Sequence, residues 1–205
     1  MTAPRVPFSP PPIAELLAEL QRVFAALGLR WFLFGAQAAI LYGVARLSAD
    51  VDITVDLGDK SSRDLVDALA AAGFDLRVAD VAGFVDATQV LPFVHRASRI
   101  PVDVVLAGPG LEEQFFAGMQ ERVVGEARVP VVSAEDLVAM KVLAGRPRDV
   151  GDVEAILRVH GDDLDLHRIR TTLGLLEGAL DRSDLLSELD RMLALARRAR
   201  TPPPA

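Results

Sequence analysis

Asp50 and Asp52 stand one residue apart in the stretch SADVDITVD, where valine, isoleucine and threonine otherwise spell a buried strand. Alternate side chains of a strand share a face, so Asp50, Asp52 and Thr54 point one way while Val51, Ile53 and Val55 point into the core. The two carboxylates then lie ~7 Å apart along the strand and repel each other unless a cation sits between them. Mg²⁺ takes oxygen ligands, commonly one or two carboxylates together with substrate phosphates, so the pair suits a phosphate-handling metal site. Acidic pairs also occur on exposed strands, and other residues have to carry the reading further.

Three features do so. Gly35-Ala36 follows the buried stretch RWFLF and opens a helix, which leaves backbone N–H groups free at a positive helix terminus where phosphate can dock; an ordinary strand-to-helix turn has the same sequence. Asp103 lies among valines in IPVDVVLA, and an ionised carboxylate there needs a metal or a partner such as Arg46 or Arg99. Lys141 is the one cation in LVAMKVLAG; its anion is either a triphosphate or a carboxylate of the next helix, Asp149 or Asp152. The three histidines, His95, His160 and His167, show no metal-ligand spacing; His95 is left as an acceptor-side contact and the others as surface or terminus residues. No P-loop and no Ser-His-Asp pattern is present.

The elements that must position these residues alternate between helix and strand. Helical periodicity over 13–28, closed by Gly28, precedes a strand at 30–35, a short helix at 36–45 and the strand 50–56. A capping box, Ser61 with Asp64, opens a helix that ends at Gly73. Residues 74–89 carry no decisive pattern. Strands over 90–95 and 100–107 pair around Ser98, a helix covers 110–119, and two short strands fall within 121–132. From Ser133, read with Asp136 as a second capping box, the pattern is helical, broken at Pro147. The expected fold is therefore α+β, a small mixed sheet flanked by helices. It divides into an α+β domain over 13–132 and a helical region over 133–200, between proline-rich tails at 1–12 and 201–205.

Composition narrows the setting. The chain has 205 residues, no cysteine and a formal charge of −7, so disulfides and thiolate metal sites are excluded and long-range attraction of nucleic acid is weak. Arg197, Arg198 and Arg200 suit a helix C-terminus. No apolar run reaches the ~18 residues of a membrane span, and the N-terminus lacks the layout of a secretory signal, which points to the cytoplasm.

The stretch FLFGAQAAILYGVARLSADVDITVDL resembles the signature of nucleotidyltransferase folds: a glycine and a small residue, a helix, then Asp-x-Asp on a strand. Arg46-x-Ser48-x-Asp50-x-Asp52 is similar to the AbiEii-like branch, which includes toxins of bacterial toxin–antitoxin and phage-defence systems. VSAEDLVAMKVLAGRPRDVGDV resembles that branch's later motif, a lysine followed by Arg-x-x-Asp-x-x-Asp. The resemblance implies transfer of a nucleoside monophosphate from an NTP, such as ATP, to an acceptor hydroxyl. Asp50, Asp52 and Asp103 would be catalytic and hold Mg²⁺ (or Mn²⁺). Gly35, Ala36, Arg46, Ser48 and Lys141 would bind nucleotide phosphate, with Asp149 or Asp152 in support. The acceptor would be RNA, protein or a small molecule, and an antitoxin protein a further partner. Many members carry serine after the glycine, where this chain has Ala36; the missing hydrogen bond to a charged group is worth ~1.5–3 kcal/mol, and Gln37 is a candidate replacement. The alternative implied by Ala36 is an inactive nucleotide-binding or protein-interaction module on the same fold.

Overall fold

The computed structural model describes residues 12–200. Helix α1 (Pro12–Leu27) leads into β1 (Arg30–Phe34), a short helix α2 (Gly35–Leu41) and β2 (Val51–Asp56). α3 (Ser62–Ala71), β3 (Phe74–Leu76), α4 (Val81–Thr88), β4 (Val90–His95) and β5 (Pro101–Leu106) follow. α5 (Leu111–Gly118) and the hairpin of β6 (Gln120–Val124) and β7 (Ala127–Val131) complete the α+β half. The helical half comprises α6 (Ala134–Ala144), α7 (Pro147–His160), α8 (Leu166–Leu180) and α9 (Leu185–Arg200). Of the tails expected at 1–12 and 201–205, only Pro12 falls within the described residues, and it opens α1.

The seven strands form one sheet in the order β3-β4-β5-β2-β1-β7-β6. β2 lies at its centre, antiparallel to β1 and parallel to β5. Val51, Ile53 and Val55 are fully buried, as expected of the core-facing set, and Thr54 is buried too because helices cover both faces of this strand. The register sets Asp52 beside Asp103 on β5 and Phe34 on β1, so two acids that are distant in sequence become neighbours across one strand pair. Residues 74–89 form β3 and α4. α4 buries no residue, which is why its sequence carries no helical stripe.

The Ser61–Asp64 capping box is present in full. At α6 only half of one forms: Ser133 accepts from the Asp136 N–H at 3.1 Å. The Asp136 carboxylate accepts the Ser133 hydroxyl (2.7 Å) in place of its backbone N–H and pairs with Arg168 of α8 at 2.5 Å, because a fully buried charge needs a cation. α6 is itself buried on several sides, through Leu137, Val138, Ala139 and Val142. A helix apolar all round belongs inside, and one continuous core joins Ile53 and Val131 of the sheet to Val138, Ile156, Leu173 and Leu189 of the helices. Among the described residues no helix is long and apolar enough to cross a membrane.

A shared core makes the two halves one cooperative unit. In urea, the fluorescence of the single buried tryptophan, Trp31 in the sheet, and the far-UV signal of the helices are expected to give the same midpoint. Val138→Ala should cost about 2 kcal/mol of stability and lower the midpoint of both signals together; two separate transitions would show that the halves fold apart.

Candidate functional site

The site begins where β1 ends. Gly35 has φ +66°, and a Cβ placed on it would come within 2.0 Å of Asp52 Oδ2. Both facts demand glycine: the backbone is left-handed, and the carboxylate occupies the space a side chain would fill. The backbone N–H of Ala36 faces the same carboxylate and favours its charged form. The Gly35-Ala36 turn read as a phosphate cradle thus already holds an anion in the free protein, the carboxylate of Asp52.

Asp50 lies immediately before β2 and accepts the hydroxyl of Ser48. Gln37, on α2, donates its amide to the carbonyls of Ser48 (3.4 Å) and Asp50 (3.2 Å). It fixes this loop, and its amide is engaged there. Asp103 stands on β5 beside Asp52 and is ion-paired with Arg77, whose Nε is anchored on the Phe93 carbonyl at 2.9 Å. The partner expected for Asp103 was Arg46 or Arg99. Arg46 instead reaches Asp152 at 2.7 Å, and Arg99 lies at φ +61° in the turn between β4 and β5. Asp52 feels all of this: burial, then the charges of Asp50 and Asp103, push its carboxyl up to about 6 against the opposing Ala36 N–H and Lys141.

The facing wall comes from α6 and α7. Lys141 is 5% exposed and donates to Asp149 (3.1 Å) and Asp152 (2.7 Å), so both carboxylates considered for it are its partners. Asp152 also takes Arg46, which ties the loop before β2 to α7. Between the walls lies a cavity of about 760 Å³, within the roughly 300–1,000 Å³ typical of small-molecule sites. Gly35, Ala36, Arg46, Asp50, Asp52, Asp103, Lys141 and Asp149 all line it. Ser48 and Asp152 do not; they stand behind the residues they hold. His95 is not near it either: it is buried between Ser98 (2.8 Å) and Glu19 (2.9 Å), a structural role in place of the acceptor-side contact.

Two further groups line the cavity; of their residues the sequence marks only Arg146, as the arginine of the Arg-x-x-Asp-x-x-Asp motif. Phe34, Val90, Val105, Leu137 and Met140 form an apolar wall, and their sequence signal is indistinguishable from that of core. Arg146 and Arg148 flank Pro147 at the start of α7. Cations are unfavourable at a helix N-terminus, and that misplacement was the available signal.

The donor set fits a hard cation: three carboxylates line one cavity, and burial and then the like charges of the other two make the innermost hold its proton more readily. Among the described residues no three acidic or histidine side chains stand as a pre-formed metal cage, since Asp103 faces Arg77 and Asp50 faces Ser48.

Solved structures share the fold. The antibiotic-resistance factor ANT(2'')-Ia in solution superposes with a TM-score of 0.57 at 15% identity, over 82% of this chain and 93% of its own. An antigenic nucleotidyltransferase-like protein from Paracoccidioides brasiliensis gives 0.50 at 16% identity, over 87% and 92%. The lincomycin-bound lincosamide antibiotic adenylyltransferase LnuA gives 0.50 at 13%, over 73% and 98%. No curated protein matches the chain in sequence. Residues 16–201 match the family described as nucleotidyl transferase AbiEii toxin, Type IV TA system. The chain belongs to that family and is a nucleotidyltransferase.

The crowding of Asp52 has a measurable cost. A carboxyl whose pKa is higher folded (about 6) than its ordinary 3.8 binds its proton more tightly in the folded chain, so stability falls as pH rises through that window and the loss is complete at pH 7. In chelator-treated protein, Asp52→Asn should therefore raise stability by about 1–3 kcal/mol at pH 7 and change it little at pH 4, checked by thermal melts at both. Gly35→Ala should do the reverse at every pH, lowering the melting temperature because its methyl strikes the Asp52 carboxylate.

Proposed function

We propose that the protein moves a nucleoside monophosphate from an NTP to an acceptor hydroxyl in a Mg²⁺-dependent reaction (or Mn²⁺-dependent) at this cavity. The observation that carries the reading is the register of β2 on β5, which brings Asp103 beside Asp52 and leaves Asp52 pressed by two like charges at the cavity floor. Asp50, Asp52 and Asp103 would hold the cation. When bound, it neutralises charge on the phosphoryl oxygens and lowers the pKa of the attacking hydroxyl.

The remaining work belongs to the chain. The apolar wall of Phe34, Leu137 and Met140 receives the base and excludes water. The acceptor oxygen forms a bond to the α-phosphorus as the bond from that phosphorus to the β-bridging oxygen breaks, and pyrophosphate leaves. The acceptor proton passes to Asp103, which must first part from Arg77; that pair is exposed enough to open at small cost. Lys141 and Arg46, held by Asp152, keep a positive field over the floor.

The family's description supports a toxin role in a toxin–antitoxin system; action in the cytoplasm and an antitoxin protein as partner complete the proposal. The acceptor class stays open among RNA, protein and small molecules; two fold relatives are an antibiotic-resistance factor and an antibiotic adenylyltransferase. A second reading, a nucleotide-binding module without turnover, draws on Ala36, which lacks a hydroxyl and whose N–H faces Asp52.

Incubation with each α-labelled NTP, Mg²⁺ and cell extract should transfer label to a macromolecule or small acceptor. Asp50→Ala/Asp52→Ala should reduce transfer to background. Label transfer that persists in the double variant would overturn the assignment, and nucleotide binding without transfer in the wild type would favour the second reading.

A further inference from the structure

Four cations line the cavity: Arg46, Lys141, Arg146 and Arg148. The first two are already matched within the protein, since Arg46 pairs with Asp152 and Lys141 with Asp149 and Asp152. Both keep N–H donors to spare, but their two positive charges are already balanced by the two carboxylates they hold. Arg146 and Arg148 are exposed and, among the described residues, make no side-chain hydrogen bond or ion pair. They also sit at the end of α7 where a cation is disfavoured; Arg146 is its N-cap and supplies no side-chain cap. Nothing in the fold repays that placement, whereas the basic residues of the last turn, Arg158 and His160, stand where the helix favours them.

The cavity is thus polarised. Unmatched negative charge collects on its floor at Asp50 and Asp52, and unmatched positive charge at its α7 rim. We infer that Arg146 and Arg148 seat the β- and γ-phosphates of the NTP, and hold the pyrophosphate as it leaves, while the α-phosphate lies over the carboxylates. This rests on the nucleotidyltransfer reading and adds to it a leaving-group subsite supplied by the helical half. A guanidinium suits the task because its planar fork gives two parallel hydrogen bonds to phosphate oxygens and it never loses its charge. The arrangement also selects among nucleotides: a monophosphate reaches the floor and finds no use for the rim, whereas a triphosphate spans both.

The test compares wild type with Arg146→Ala, Arg148→Ala, the double variant and a double lysine variant. Calorimetry with Mg²⁺ would measure binding of inorganic tripolyphosphate, of each non-hydrolysable NTP and of each NMP. The double alanine variant should bind tripolyphosphate and the preferred NTP about ten- to a hundredfold more weakly, bind the NMP within about twofold of wild type, and keep its melting temperature. Lysines should restore part of the loss, as point charges without the fork. Equal losses for NTP and NMP, or undiminished NTP and tripolyphosphate binding, would overturn the assignment of the arginines while leaving the nucleotidyltransfer reading in place. Absence of NTP binding in the wild type would overturn both.

Discussion

At the centre of the sheet, a carboxylate is pressed against a backbone that has no side chain, and the rest of the site is arranged around that contact. Asp52 fills the space over Gly35 and faces the Ala36 N–H, which fixes the join of β1 to α2. Parallel pairing with β5 then adds Asp103 at its side, and the loop held by Gln37 adds Asp50. Each step raises the negative charge around a largely buried group. A fold optimised only for stability would put a β-branched apolar residue here, as it does at the neighbouring Val51, Ile53 and Val104, all fully buried. The strain is electrostatic, local and at a cavity floor, which is where function draws on stability.

Such a floor needs a wall that will not collapse onto it, and that wall is an ionic relay. Arg46, Asp152, Lys141 and Asp149 alternate in sign from the loop before β2 into α6 and α7. Buried pairs of this kind contribute little net stability, because desolvation offsets the attraction, but breaking one by removing a partner is costly. Their use here is geometric: they set the distance between the halves while apolar contacts through α6 supply the cohesion. Asp136 with Arg168 repeats the device on the far side of α6.

How far the sequence discloses this depends on whether a residue's type constrains its place. Asp50 and Asp52 in a valine-rich strand, Asp103 among valines and Lys141 in an apolar helix were legible because each is costly in its setting, and the cost implies a partner. The α+β order and the capping box at Ser61 were legible for the same reason, through period and turn chemistry. The partners themselves were less so. Arg77 follows a three-residue strand and precedes a helix that buries nothing, so no pattern announces it as the mate of Asp103. His95 has a polar sequence setting and a buried place, set by Glu19 on α1, a contact only the tertiary fold creates.

Ala36 stands where the sequence signature commonly has serine, and the structure gives that difference a physical meaning. A serine hydroxyl at the glycine turn binds phosphate by direction: a short donor in a fixed place. Ala36 is only 8% exposed and offers no such donor, and its N–H faces Asp52. The glycine turn in this protein therefore serves the carboxylate first, and the demand for phosphate ligands shifts across the cavity to whatever positive charge is unspent. That charge lies at the start of α7, on long side chains that reach by flexibility and hold by charge. A site built this way depends on α7 and on the relay that positions it. Its sheet half alone has the acids to hold a cation and little with which to hold a triphosphate.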